Sequence, residues 1–130
     1  MTSAIPKFDP AGTFIGSSYV YATARDFAKF GELYLRDGIA PDGSRILPEG
    51  WVDHARTWSA SDDDGFDYGR HWWLWPDLPG AFGCHGYEGQ YTVVVPDREL
   101  VIVHLGKSPV DQRVPLNDAL RAIIHAFDNT

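Results

Sequence analysis

The sequence predicts an α+β fold: an antiparallel sheet of about four strands, with helices before the sheet and one helix after it. Two observations support this prediction. Apolar residues recur at helical spacing within residues 24–36 and 115–127, and they follow strand-like patterns between residues 68 and 105. The 130 residues are 44% hydrophobic, which is enough for one domain with a buried core, and we expect a single domain over residues 1–130.

The first predicted helix covers residues 24–36. Thr23 precedes it as an N-cap, and Asp26 stands where the carboxylate of a capping box belongs. Gly38 suits the left-handed position that ends many helices. The apolar stripe that would face the core comprises Phe27, Phe30, Leu33 and Tyr34.

The segments around this helix have weaker patterns. Residues 1–18 are rich in Gly, Pro and Ser, and we expect an extended lead-in there. A short helix is predicted over residues 48–55, with Pro48 in its first turn. We expect an exposed loop over residues 59–67. Three consecutive aspartates in that loop are potential calcium ligands, but the ligand spacing and the closing glutamate of an EF-hand are missing.

Four strands are predicted over residues 68–75, 81–85, 90–96 and 100–105, with a hairpin connection between the last two. These strands are apolar on both faces, whereas an antiparallel sheet usually has one polar face. Both faces therefore require a cover. The C-terminal helix, predicted over residues 115–127 and amphipathic, covers one face. The other face needs the 24–36 helix or protein outside this chain. The apolar stripe of the C-terminal helix comprises Leu116, Leu120, Ile123, Ile124 and Phe127.

Composition excludes several classes of function. Eleven Lys plus Arg against 18 Asp plus Glu give a net charge of −7, which argues against nucleic acid as a partner. No apolar stretch is long enough for a membrane segment. The single cysteine, Cys84, excludes an internal disulfide and a multi-cysteine zinc site. No phosphate-binding loop is present, so we expect no cofactor. Residues 1–10 do not resemble a signal peptide, which leaves a cytoplasmic location as the default.

The densest candidate for a functional segment covers residues 83–90. Cys84 and His85 are neighbours on a predicted strand, so their side chains point to opposite faces and cannot pair as a nucleophile and its base. A metal site that uses His85 with His71 or His104 matches no compact set of ligands, and we expect no metal. His54 lies on a predicted helix and is expected at the surface, like His125.

At this segment the chain resembles the C-terminal part of the serine β-lactamase-like hydrolases, which include class C β-lactamases, penicillin-binding-protein-like esterases and 6-aminohexanoate-dimer hydrolases. Four stretches carry the resemblance in the order of the family: YATARDFAKFG (residues 21–31), ILPEGWV (46–52), YGRHWWL (68–74) and GYEGQYTVVVP (86–96). The resemblance implies that the sheet belongs to the β-lactamase/transpeptidase-like fold.

The resemblance also implies a site. The Lys/His-Thr-Gly-type strand of the family falls on Cys84, His85 and Gly86, and the backbone N–H of Tyr87 would be one oxyanion-hole donor. The residues expected to support this strand are Glu88, Gly89 and Gln90. An alignment shifted by three residues would place the motif on residues 87–89 instead. Cys84 stands where many members carry a cation, which favours an ester or amide substrate over a β-lactam carboxylate.

The other two motifs of the family are absent from this sequence. No serine has a lysine three residues later, and neither Tyr19 nor Tyr21 has an asparagine two residues later. The resemblance therefore implies the C-terminal part of a serine hydrolase that acts on small ester or amide substrates and is inactive by itself. Its expected partner is the missing N-terminal half, or a second copy bound through an exposed apolar face.

Two alternatives stay open at the level of sequence. One is a stand-alone binding domain that retains the fold without catalysis. The other is an enzyme that uses His85 and Glu88 as an acid–base pair.

Overall fold

A computed structural model, which describes residues 1–63 and 65–129, shows two antiparallel sheets and three α-helices in the described ranges. Strands β1 and β2 form a small hairpin, and strands β3 to β8 form a six-stranded sheet in sequence order. The elements are β1 (Ile5–Pro6), β2 (Val20–Tyr21), α1 (Ala24–Leu35), α2 (Trp51–Ala55), β3 (Ala60–Ser61), β4 (Asp67–Tyr68), β5 (Trp73–Leu74), β6 (Phe82–His85), β7 (Tyr91–Val95), β8 (Leu100–His104) and α3 (Arg113–Ala126).

The α+β class is confirmed, but the prediction of about four strands is wrong, because the sheet has six. Residues 68–75 do not form one strand. The Gly69 N–H donates to the Trp72 carbonyl at 2.7 Å, and His71 adopts a left-handed φ of +68°. This turn separates β4 from β5 and pairs Tyr68 with Trp73.

The exposed loop predicted over residues 59–67 is also only partly correct. β3 and β4 pair within it, Ala60 opposite Tyr68. Phe66 is buried in the core, and the Asp62 N–H donates to its carbonyl at 2.9 Å. Of the aspartate run, Asp64 lies outside the described residues. Within residues 1–63 and 65–129, no group of three or more acidic, histidine or cysteine side chains is arranged to hold a metal ion.

Both faces of the sheet are covered from within this chain, as the apolar pattern predicts. On one face, Trp75 and Val93 pack with Ile124 of α3. On the other face, Phe82 and Val94 pack in a second cluster that includes side chains of α1 and α2. Strand β7 lies between β6 and β8, and all five of its residues are buried.

Helix α1 begins at its predicted N-cap but without the predicted capping box. The Thr23 hydroxyl accepts a hydrogen bond from the Asp26 N–H at 3.3 Å. The buried Asp26 carboxylate turns away and accepts from the Thr2 and Ser3 N–H groups, each at 2.7 Å, and from the Ser3 hydroxyl at 2.8 Å. These hydrogen bonds, led by those from Ser3, hold the pKa of Asp26 well below its usual range.

Residues 1–18, which we expected to form an extended lead-in, contain β1 and most of the β1–β2 hairpin. This hairpin leaves several apolar side chains exposed to solvent. Ile5 pairs with Tyr21, and the rings of Phe8 and Phe14 lie 6.0 Å apart. Five side chains of this hairpin, hereafter the N-terminal apolar patch, are between 51% and 61% exposed: Ile5, Phe8, Phe14, Tyr19 and Tyr21.

The remaining helices differ slightly from their predicted bounds. Helix α2 begins at Trp51 rather than at residue 48, because Gly50 before it has a left-handed φ of +74°. Helix α3 begins two residues earlier than predicted, and it buries Leu120 and Ile124 while Ile123 remains 47% exposed. None of the helices in the described ranges has the length and apolarity needed to span a membrane.

The contact between α1 and the sheet depends on Gly31, because a Cβ there would lie 2.6 Å from Val101 Cγ1. We expect Gly31→Leu to lower the free energy of unfolding by about 1–3 kcal/mol through overpacking, although leucine is a good helix former. The measurement is urea denaturation at equilibrium. Arg25→Leu adds the same side chain at an exposed position of α1 and should change the value by less than about 0.5 kcal/mol. Equal effects of both substitutions would contradict this packing.

Candidate functional site

The structure places the candidate residues at the end of β6 and in the turn that follows it. Cys84 pairs with Thr92, and His85 pairs with Tyr91. Residues 86–90 connect β6 to β7. Because successive residues of a strand point to opposite faces, Cys84 and His85 separate here as the sequence predicts.

The side chain of Cys84 packs into the cluster on the α1 face, with Phe82 and Val94. Burial raises the pKa of this thiol to about 12. The thiol is therefore protonated at neutral pH, and it lacks the thiolate form that a cysteine nucleophile requires.

His85 lies on the α3 face inside a cage of aromatic rings. Its imidazole stacks on Trp73 at a centroid distance of 5.4 Å and an interplanar angle of 7°. Phe66 and Tyr91 each approach it edge-on at 4.8 Å. The Trp75 indole N–H donates to His85 Nε2 at 3.1 Å, which leaves the ring proton on Nδ1.

This cage keeps His85 neutral. Burial lowers its pKa to about 3, and the positive charge of Arg113 contributes to the shift. Glu88 lies outside the cage, where its carboxylate pairs with Lys107 at 2.8 Å. The two residues of the alternative acid–base pair are thus held by different partners.

The turn after β6 is fixed by its own backbone. The Gly86 N–H donates to the Gln90 carbonyl at 2.6 Å, and the Gly89 N–H donates to the Gly86 carbonyl at 3.2 Å. A Cβ on Gly86 would lie 2.8 Å from the Gln90 Cβ, so a side chain there would require this part of the turn to shift. Tyr87 occupies the tip and is 85% exposed. Within the described part of the chain, its backbone N–H has no hydrogen-bond partner.

The side chain of Gln90 adds a second layer of support to the turn. Its Oε1 accepts from the Glu88 N–H at 3.2 Å, and its Nε2 donates to the Gly106 carbonyl at 3.1 Å. The Ser108 N–H donates to the Glu88 carbonyl at 2.8 Å. The segment that follows β8 thus holds the turn from one side.

His104 completes this support, and sequence reasoning missed its role. It lies on β8 opposite Tyr91, and its Nδ1 is 2.8 Å from the Gly89 carbonyl, which makes Nδ1 the donor. Gly89 itself needs a left-handed φ of +84°. The sequence has no local signal for this contact, because it joins residues 15 positions apart through strand pairing.

Together these contacts leave a fixed backbone hydrogen-bond donor at the tip of the turn. The Tyr87 backbone N–H at the tip of the turn has no hydrogen-bond partner within the described fold, and the backbone on both sides of it is held by hydrogen bonds. A preorganised donor of this kind can stabilise a negatively charged oxygen. The segment offers no activated nucleophile, because the Cys84 thiol is protonated.

Comparison with known proteins gives a consistent result. The Beta-lactamase family model matches residues 2–126. The chain is 32% identical over 111 residues to the 6-aminohexanoate-dimer hydrolase of Paenarthrobacter ureafaciens, a match that covers 78% of this chain and 28% of that protein. It is 33% identical over 92 residues to Penicillin-binding protein 4 of Amycolatopsis lactamdurans, which covers 63% of this chain and 24% of that protein.

Comparison with solved structures agrees with the sequence comparisons. A solved Bacillus anthracis structure with the provisional name 6-aminohexanoate-dimer hydrolase superposes with a TM-score of 0.79 and 28% identity, over 97% of this chain and 34% of that one. The chain thus spans between about a quarter and a third of the length of these relatives.

The neutral state of His85 predicts a pH dependence of stability. The unfolded imidazole gains a proton near pH 6.5, whereas the folded one does so only near 3. Unfolding therefore takes up a proton in this range, and the free energy of unfolding falls as the pH drops below about 6.5, by up to about 1.4 kcal/mol per pH unit. Urea denaturation at a series of pH values measures this slope.

The matched variants are His85→Phe, which keeps an aromatic ring in the cage, and His125→Phe, at an exposed position of α3. We expect His85→Phe to reduce the change of the unfolding free energy with pH below 6.5, and His125→Phe to leave most of this change. A slope that survives His85→Phe and disappears with His125→Phe would contradict the assignment.

Proposed function

The chain belongs to the Beta-lactamase family, and on that premise we propose that it is the C-terminal part of a serine hydrolase that cleaves ester or amide bonds by acyl transfer. Two facts support the proposal. The chain spans about a third or less of the length of its relatives, and its sequence contains no Ser-x-x-Lys or Tyr-x-Asn motif. The nucleophile and its base would then come from the remainder of the hydrolase.

The contribution of this chain would be the oxyanion side of the site. The Tyr87 N–H would donate to the oxygen on which negative charge develops during acyl transfer, and the N–H of the nucleophilic serine would be the second donor. The observation that carries this role is the unpaired backbone N–H of the exposed residue Tyr87, within the described part of the chain, at the tip of a turn whose backbone is held by Gln90 and His104.

The position of the motif supports this alignment over the one shifted by three residues. Cys84 and His85 lie on strand β6, as a strand motif requires, whereas residues 87–89 lie wholly in the turn. The shifted alignment would remove the motif from the strand. The burial of Cys84 among apolar side chains supports a substrate recognised without a cation at that position, which favours simple esters or amides.

Two exposed features of this chain support the proposal that a partner packs against it. The N-terminal apolar patch leaves five large side chains more than half exposed. Strand β8 ends the sheet order within the described residues, and its edge offers backbone groups to another strand. We propose that the rest of the hydrolase covers these surfaces, and that copies of the chain self-associate through them in its absence.

We expect the purified 130-residue chain to show neither labelling by a fluorophosphonate probe nor turnover of an activated ester, because it lacks an activated serine. The intact 6-aminohexanoate-dimer hydrolase of Paenarthrobacter ureafaciens is the comparison assayed in parallel. Stoichiometric labelling of a serine in the chain would overturn the proposal. Ester turnover without labelling, abolished by His85→Ala, would instead support the acid–base alternative.

We also expect the chain to self-associate in sedimentation velocity runs at micromolar concentrations, because the N-terminal apolar patch is uncovered. Replacing Phe8 and Phe14 by serine should shift the population toward monomer. The control replaces Val110 and Val114, which are 68% and 69% exposed elsewhere on the chain. A wild-type monomer that does not change with concentration would argue against an uncovered interface.

A further inference from the structure

A cavity of about 430 Å³ lies between α2 and the β4–β5 turn, apart from the candidate site at residues 84–90. Its volume falls in the range of small-molecule sites. The side chains that line it are Trp51, His54, Tyr68, Arg70 and His71.

The turn that forms one wall is clamped against the end of α2. The Arg70 N–H donates to the Ala55 carbonyl at 2.8 Å. A Cβ on Gly69 would clash with the same carbonyl oxygen, so the close approach requires glycine. His71 follows with a φ of +68°, a conformation that is strained for residues with a side chain. Strained backbone of this kind is found preferentially at functional sites.

One lining residue of the cavity, Arg70, brings a positive charge in an acidic chain, and the imidazoles of His54 and His71 line the same cavity. The side chains of these three residues have no hydrogen-bond or ion-pair partner in the described part of the protein. Five other arginines pair with a carboxylate: Arg36, Arg45, Arg56, Arg98 and Arg121. With a net charge of −7 over the whole chain, an unpaired guanidinium beside a cavity is suited to an anion.

Helix α2 adds an aromatic ring to the cavity. Trp51 is 44% exposed, and its ring lies 5.8 Å from that of His54. Tyr68 is also a lining residue, and its ring packs edge-on against Trp73 at 4.9 Å. A flat apolar group can pack on the Trp51 ring while an attached carboxylate reaches the guanidinium of Arg70, which pairs with carboxylates through two parallel hydrogen bonds.

We propose that this cavity binds a small organic acid, with its aromatic or apolar body against Trp51 and its carboxylate on Arg70, in a cavity that His54 and His71 also line. This binding site is independent of the proposed hydrolase function, because it needs neither a nucleophile nor the rest of the hydrolase. The test therefore measures ligand binding to the 130-residue chain and does not depend on an activity assay.

The probes are 3-phenylpropionate and its amide, which have the same shape but differ in charge. Binding is followed by two-dimensional NMR, through the indole N–H signal of Trp51 and the ring signals of His54 and His71. We expect saturable shifts of these signals with the acid, and affinity about tenfold or more weaker with the amide. Absence of saturable shifts, or equal affinity for acid and amide, would overturn the proposal.

Arg70→Gln should weaken binding of the acid about tenfold, because it removes the charged partner of the carboxylate. Arg25→Gln, at an exposed position of α1, is the matched control and should leave the affinity unchanged. Equal losses in both variants would show general charge attraction and overturn the site. Should Arg70→Gln fail to fold, Trp51→Leu takes its place: weaker binding of both acid and amide supports the site, and unchanged binding overturns it.

Discussion

Strand β7 is buried on both faces, and this burial determines how its neighbouring strands pair with it. Val93 contributes to the core beneath α3, and Val94 contributes to the core beneath α1. A shift of one residue in β7 would exchange these two sets, so the register with β6 and β8 is strongly specified. That register places His85 opposite Tyr91, and Tyr91 in turn opposite His104. The position of the turn over residues 86–90 follows from it.

The same register explains why the candidate site has a rigid backbone but little reactive side-chain chemistry. Cys84 and His85 point into opposite cores, where burial keeps the thiol protonated and the imidazole neutral. The groups that remain available lie in the turn. The bond from the Gly86 N–H to the Gln90 carbonyl holds the backbone before Tyr87, and the bond from His104 to the Gly89 carbonyl holds the backbone after it. A strand of this kind suits a supporting role toward a nucleophile supplied by another part of a protein.

The sequence was sufficient to predict what periodicity controls: the α+β class, the helices α1 and α3, a cover on both faces and the separation of Cys84 from His85. It failed where the decisive contact joins distant residues or a special backbone conformation. The tryptophan-rich run has an apolar alternation that continues across the turn at His71, so one strand was predicted where two exist. The Asp26 carboxylate accepts hydrogen bonds from Ser3 and does not close a capping box. A local sequence pattern cannot predict this partner, because Ser3 lies 23 residues away. The contact of His104 with Gly89 likewise exists only once the strands pair.

The proposed contribution of this chain is one oxyanion-hole donor, the Tyr87 N–H. A chimera tests it, in which the part of this chain that matches the Paenarthrobacter ureafaciens hydrolase over 111 residues replaces the matching segment of that hydrolase and is assayed with Tyr87→Pro and Tyr87→Ala. Proline removes the N–H, whereas alanine removes only the side chain. We expect proline to lower kcat by about 100- to 1000-fold with little change in KM, and alanine to retain most activity. Equal activity of the proline and alanine variants, or a folded chimera without turnover, would contradict it.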